Sequence, residues 1–190
     1  MEKAEKHLKL ISKAQTDEDE RHHQNDILRF TEQYRETVTA VFRYLFSRVQ
    51  NIDDAKDLTS QTFLTAYENL MKLRDPSKFT AWIFTIARNK TYDFFRRSQR
   101  HPAVKFDEEL NPGSFNRRNS LLKDKDRLID LKNLIENLNQ REQEYLRLRI
   151  VAQLPWAEIA SILNQPETRI KKRYYRLLKR LQAKMEKQNE

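Results

Sequence analysis

Near the end of this chain Arg169, Lys172, Arg173, Arg176 and Arg180 fall on one stripe of a helical spacing, with Lys171 beside them. Cations gathered on one helix face bind phosphates, and side chains at the start of such a helix reach base edges in the major groove. Ile170, Tyr174, Leu177 and Leu181 form the opposing apolar stripe, which would pack inward. A second basic group, Arg88, Lys90, Arg96, Arg97 and Arg100, is set against Asp93 alone and interleaved with Tyr92, Phe94 and Phe95. Aromatic rings offer faces on which bases stack, so that mixture favours opened or single-stranded nucleic acid. The plainer alternative is a core helix whose outer face is merely basic.

Residues suited to covalent chemistry are scarce. The chain has no cysteine, which excludes disulfides, zinc fingers and thiol catalysis. Its four histidines include three in the polar N-terminal stretch, and the adjacent His22 and His23 lack further ligands at usable spacing. With a single glycine, Gly113, there is no glycine-rich phosphate loop. No catalytic residue, metal or cofactor is expected, and an enzyme is a weak reading.

The elements that must position the two basic groups are helices. One glycine and five prolines leave little for hairpins and bulges, so helices joined by short polar turns are expected. From Ile27 to Val49 the residues Tyr34, Val38, Val41, Phe42, Leu45 and Val49 keep to one stripe. Asp53 is then a suitable N-cap for a second helix with core positions Ala55, Leu58, Thr62, Phe63, Ala66 and Leu70. Asp75-Pro76-Ser77 opens a third, with Phe79, Trp82, Ile83 and Ile86 inward, running to about Ser98. Asn139 followed by Glu142 reads as a capping box, and a helix through Tyr145, Leu146, Leu148 and Ile150 follows it. Pro155 suits the first turn of the next helix, where Ile159, Ala160, Ile162 and Leu163 face the cationic helix across the break Asn164-Gln165-Pro166.

The expected fold is therefore all-α: two small helical domains joined by a flexible linker, the C-terminal one a helix-turn-helix. The boundaries are a polar tail over 1–26, a first domain over 27–98, a linker over 99–126, a second domain over 127–185 and a tail over 186–190. The linker holds Pro102 and Asn111-Pro112-Gly113 and has no sustained period. A net charge of +9, with an isoelectric point near 9.7, suits a polyanionic partner. The N-terminus lacks the apolar run of a signal peptide and no stretch reaches membrane-spanning length, so a soluble, cytoplasmic protein without membrane insertion is expected.

Two motifs carry a family resemblance. Asp54-Ala55-Lys56-Asp57-Leu58-Thr59-Ser60-Gln61-Thr62-Phe63-Leu64 resembles the Asp-Ala-Glu-Asp-Leu-x-Gln-Glu-x-Phe-Leu motif of the extracytoplasmic-function (ECF) sigma factors of bacterial RNA polymerase. Trp82-Ile83-Phe84-Thr85-Ile86-Ala87-Arg88-Asn89, followed by Asp93 and Arg96-Arg97, is similar to that family's Trp-Leu-x-x-Ile-Ala-Arg-Asn-x-x-x-Asp-x-x-Arg-Arg signature. With the C-terminal helix-turn-helix, the match covers about residues 28–98 and 127–183.

The resemblance implies a sigma-two domain that binds core polymerase and opens the minus-ten element, and a sigma-four domain that reads the minus-thirty-five element. Lys56, Asp57, Ser60 and Gln61 would face the beta-prime clamp helices. Lys78, Arg88, Asn89, Arg96 and Arg97 would face the melted minus-ten strand. Glu167, Thr168, Arg169, Lys171, Lys172, Arg173 and Arg176 would meet the minus-thirty-five duplex. Core polymerase, through its beta-prime clamp helices and beta flap, and promoter DNA are the implied partners, with room for an anti-sigma factor as a third. Ser60-Gln61 stands in place of the family's Gln-Glu pair, and Asn164 in place of its turn glycine, a residue that tolerates the left-handed conformation. Thr168-Arg169 replaces Gly-Thr. A stand-alone helix-turn-helix regulator is the alternative, and it leaves Asp54 to Leu64 and Trp82 to Asn89 without a role.

Overall fold

The computed structural model describes the backbone of residues 2–100 and 134–188 and the side chains of residues 24–97 and 134–186. All regular structure among them is helical. The linker expected over 99–126 falls almost entirely outside the described residues, as does the start of the second domain. The chain forms two compact units, Met1–Thr39 and Ala40–Glu190.

Helix α1 spans Glu2–Val49, so it begins well before the Ile27 start expected from its apolar stripe. No glycine or proline occurs in that stretch, and nothing in it stops a helix. The helix ends at Gln50, whose φ of 55° places it in the left-handed region. Asn51 then caps α2 (Ile52–Glu68), its side chain accepting from the N–H groups of Asp53 and Asp54. The cap thus lies two residues earlier than the Asp53 expected, and the two aspartates occupy the first turn, where the helix dipole favours negative charge.

Helix α2 buries Ala55, Leu58, Thr59, Thr62, Phe63 and Ala66. Its two buried threonines stay satisfied by donating to carbonyls four residues back, Thr59 to Ala55 and Thr62 to Leu58. After a short 3-10 turn over Leu70–Lys72, Asp75 caps a second one, Pro76–Lys78, which leads into α3 (Phe79–Arg100). Phe79, Ile83, Phe84 and Ala87 are buried there, and α3 packs on α2. Trp82 and Ile86 are only half-buried.

Asn139 caps α4 (Gln140–Leu146) by accepting from the Glu142 N–H, as its spacing predicts. A π turn over Arg147–Val151 follows, in which the Ala152 N–H reaches back five residues to the Arg147 carbonyl. That extra residue moves Ile150 off the inner face. It is 54% exposed, against the inward position its spacing predicts. Pro155 lies just ahead of α5 (Trp156–Leu163) rather than within its first turn. Asn164 closes α5 at φ 49° and ψ 51°, and α6 follows over Glu167–Gln188. Residues 186–188 of the expected C-terminal tail therefore belong to α6.

Candidate nucleic-acid interface

Helices α5 and α6 form the helix-turn-helix. Ile159 and Ile162 of α5 are buried, as are Ile170, Tyr174, Leu177 and Leu181 of α6. Trp156 and Tyr174 meet edge-on with ring centroids 4.9 Å apart. Burying that stripe turns Thr168, Arg169, Lys172, Arg173 and Arg176 to the exposed side of α6. Glu167 and Lys171 are half-buried and pair with each other at 2.5 Å, one turn apart. The cationic face expected of a recognition helix is thus present, with one of its lysines already neutralised.

On α2, Lys56, Asp57, Ser60 and Gln61 all lie on the exposed face opposite Leu58, Thr62 and Phe63. Leu64, 58% exposed, extends the same face with an apolar side chain. On α3, Asn89, Arg96 and Arg97 are exposed, and Arg96 pairs with Asp93 at 2.9 Å. Lys78 is exposed just ahead of α3, beside Asp75. Lys78, Asn89, Arg96 and Arg97 therefore remain available to a ligand.

Arg88 is placed differently. It is half-buried, and its Nη1 donates to the Ile162 carbonyl at the end of α5, 3.0 Å away. Seven residues earlier the backbone amide of Ala81 lies close to Glu158 of α5. Burial raises the Glu158 pKa, and the nearby Ala81 amide pulls it back in part. Helix α3 thus packs on α5 as well as on α2, with Glu158 near the first turn of α3 and Arg88 donating to a carbonyl in the last turn of α5.

A buried polar cluster reinforces that packing. Tyr44 of α1, fully buried, donates its hydroxyl to Glu144 Oε1 at 2.7 Å. Arg48, one turn on, donates to Glu144 Oε2 at 2.6 Å. Its guanidinium also lies over the Tyr92 ring, 5.2 Å from the centroid. The Glu144 and Arg48 side chains keep only 7% and 11% exposure. Burial first, then the adjacent Glu144 carboxylate, push the Tyr44 hydroxyl far above the ordinary tyrosine range, so it stays a donor. Arg147 nearby is lowered by burial and by repulsion from Arg48.

The spacing of apolar residues carries no trace of Tyr44, Arg48 and Glu144. Arg48 and Glu144 are 96 residues apart, and a charged residue within an amphipathic helix reads as surface. The one local hint is Tyr44 followed by Arg48 at the i, i+4 spacing on the flank of the apolar stripe.

Two helical segments, one a helix-turn-helix with a cationic face and one ending in a basic, aromatic helix, define a nucleic-acid-binding protein. The sigma-70 region 2 model matches residues 33–101, and the sigma-70 region 4 model matches residues 128–181. The chain is 33% identical over 156 residues to the ECF RNA polymerase sigma factor BldN of Streptomyces coelicolor, a match covering 80% of this chain and 58% of BldN. It is 26% identical over 159 residues to RNA polymerase sigma factor YlaC of Bacillus subtilis, covering 83% of this chain and 92% of YlaC. Its fold is similar to that of Bartonella quintana RpoE, solved in complex with the anti-sigma factor NepR, with a TM-score of 0.60 at 24% identity over 81% of this chain and 94% of RpoE. The chain belongs to the sigma-70 family, in its ECF group. Among the described residues no helix is long and apolar enough to cross a membrane.

Proposed function

We propose that this chain is an alternative sigma factor, which binds bacterial core RNA polymerase and directs initiation at a defined set of promoters. The observation that carries the reading is the order of parts: a region 2 match, then a region 4 match ending in a helix-turn-helix whose cationic face is exposed. In this reading α6 enters the minus-thirty-five major groove, with Glu167, Thr168, Arg169 and Lys172 nearest base edges and Arg173 and Arg176 on phosphates. Lys78, Asn89, Arg96 and Arg97 hold the melted minus-ten strand, joined by Arg88 once it is released from Ile162. Lys56, Asp57, Ser60 and Gln61 dock on the polymerase clamp. No group in the chain performs bond chemistry, and nucleotide addition is left to the polymerase.

Elements named for positions about 25 base pairs apart are separated by roughly 85 Å of duplex, at about 3.4 Å per base pair. Helices α3 and α5 touch, so the two regions cannot hold both elements while packed together. Promoter engagement then requires the Arg88, Glu158 and Glu144 contacts to break. A linker over 99–126, of roughly 28 residues, reaches about 90 Å when extended, enough to span that separation.

The test is run-off transcription with core polymerase plus this chain on a promoter library. Transcripts starting from a defined subset of promoters are expected. Failure to bind core polymerase even at low salt would sink the reading, and specific duplex binding without core enzyme would favour a stand-alone regulator.

A further inference from the structure

Where α3, α4 and α6 come together they border an open cavity of about 560 Å³. Four guanidinium groups line it: Arg88, Arg141, Arg169 and Arg173, with Tyr92 and Tyr145 completing the wall. Among the described residues the only carboxylate on the lining is Glu144, and both of its oxygens are already taken by Tyr44 and Arg48. Among the described residues, Arg141, Arg169 and Arg173 have no carboxylate partner. Arg173 makes only long contacts, 3.4 Å to the Tyr145 hydroxyl and 3.3 Å to Gln165 Oε1. The Arg88 Nε is buried without any partner. Like charges gathered around an open volume create a potential that an anion relieves, and planar guanidinium forks match phosphate oxygens two at a time. The volume lies within the ordinary range for small-molecule sites, roughly 300–1,000 Å³.

We propose that this cavity binds a small oligophosphate anion, free or as the phosphate tail of a nucleotide, and that the bound anion holds the two sigma regions in their packed arrangement. The regulatory half of the proposal rests on the sigma-factor reading above; the binding half does not. Arg169, Arg173 and Arg88 are groups that reading assigns to promoter DNA. In the packed arrangement they converge instead on one volume contributed by both regions. A ligand that requires all four arginines binds only this arrangement, so by linkage it shifts the population toward it and away from promoter DNA. Arg141 separates the two roles, because it lines the cavity but belongs to neither DNA-binding set.

The experiment titrates the full chain with inorganic tripolyphosphate and, separately, with ATP, by calorimetry. Saturable binding of one anion per chain is expected, weakened at least about tenfold in Arg141→Ala. Tighter binding of ATP would identify a nucleotide as the source, and equal binding would identify the phosphate chain alone. Because the protein has no cysteine, dyes on Glu68→Cys and Lys184→Cys, both exposed, report the separation of the two regions. Energy transfer between them should fall in Glu144→Ala and be restored by tripolyphosphate, but not when Arg141→Ala is added. Binding that Arg141→Ala leaves unchanged, or no saturation below millimolar anion, would overturn the inference. Run-off transcription by the Arg141→Ala protein should be normal without anion and resistant to tripolyphosphate. Failure of transcription by the unmutated chain, with anion binding intact, would count against the sigma-factor reading alone.

Discussion

Arg48 and Glu144, 96 residues apart in sequence, form a buried ion pair at 2.6 Å that joins the region 2 and region 4 segments. A pair so deeply buried contributes little net stability when intact, since desolvation of both charges offsets their attraction. Its weight lies in what happens when one partner is removed. The remaining charge is then stranded, and the packed arrangement is the state that suffers.

Glu144→Ala should therefore disfavour the packed arrangement by about 3–5 kcal/mol, while Arg48→Ala together with Glu144→Ala costs less than the sum of the single changes. Hydrogen exchange reads the outcome at the amide of Ala81, a residue buried beside Glu158 of α5 across the same junction. Protection there should fall in the single variant and recover partly in the double. Unchanged protection in Glu144→Ala would show that α3 and α5 hold together without the pair.

Tyr44 supplies a pH dependence. Its folded pKa is raised above the ordinary 10.0, by burial and then by Glu144. A raised acid contributes stability that is whole below the unfolded pKa and is lost as pH rises toward the folded one. The packed arrangement should accordingly be insensitive to this group up to about pH 10 and weaken above it. Tyrosinate absorbance should show one phenol titrating late and together with loss of the packing, and Tyr44→Phe should remove that step. A normal titration of every tyrosine would contradict the placement of Tyr44.

Local structure was legible wherever one short-range rule decides it. The stripe Ile170, Tyr174, Leu177 and Leu181 is buried as its spacing predicts, Asn139 caps α4, and Asn164 adopts the left-handed conformation that its type tolerates. Three features escaped that logic. The π turn shifted Ile150 outward because a single inserted residue changes register without changing composition. The α2 cap moved to Asn51 because several polar residues there compete for one role. Arg88 was legible as one of a basic group on its helix, but its bond to the Ile162 carbonyl depends on a partner 74 residues away.

Asn164 tests the turn of the helix-turn-helix. At φ 49° a side chain with a Cβ is disfavoured unless it is Asn or Asp. Asn164→Ala should lower stability by about 1 kcal/mol, whereas Asn164→Gly should be neutral or slightly stabilising. Urea denaturation followed through Trp156, which sits against Tyr174 in the same unit, gives the comparison. A larger loss in the glycine variant than in the alanine variant would mean that the Asn side chain, and not its backbone, holds the turn.

In the proposed promoter complex the cationic face of α6 would make two kinds of contact, distinguishable by salt. A residue that touches only phosphate contributes about 0.9 to the slope of log affinity against log salt and nothing to sequence preference. Arg176, two turns into α6, is placed for that role, so Arg176→Ala should weaken all promoters alike and reduce the slope by about that amount. Arg169 lies in the first turn, nearest the groove floor in a helix-turn-helix that enters N-terminus first. Arg169→Ala should cost about 1–3 kcal/mol on the preferred minus-thirty-five sequence and less on others. Lys171 is already paired with Glu167, so Lys171→Ala should move the slope least of the three. Filter binding of holoenzyme to promoter variants across a salt series measures all three. A uniform loss for Arg169→Ala with unaltered sequence preference would assign it to the backbone and move base reading to Glu167, Thr168 or Lys172.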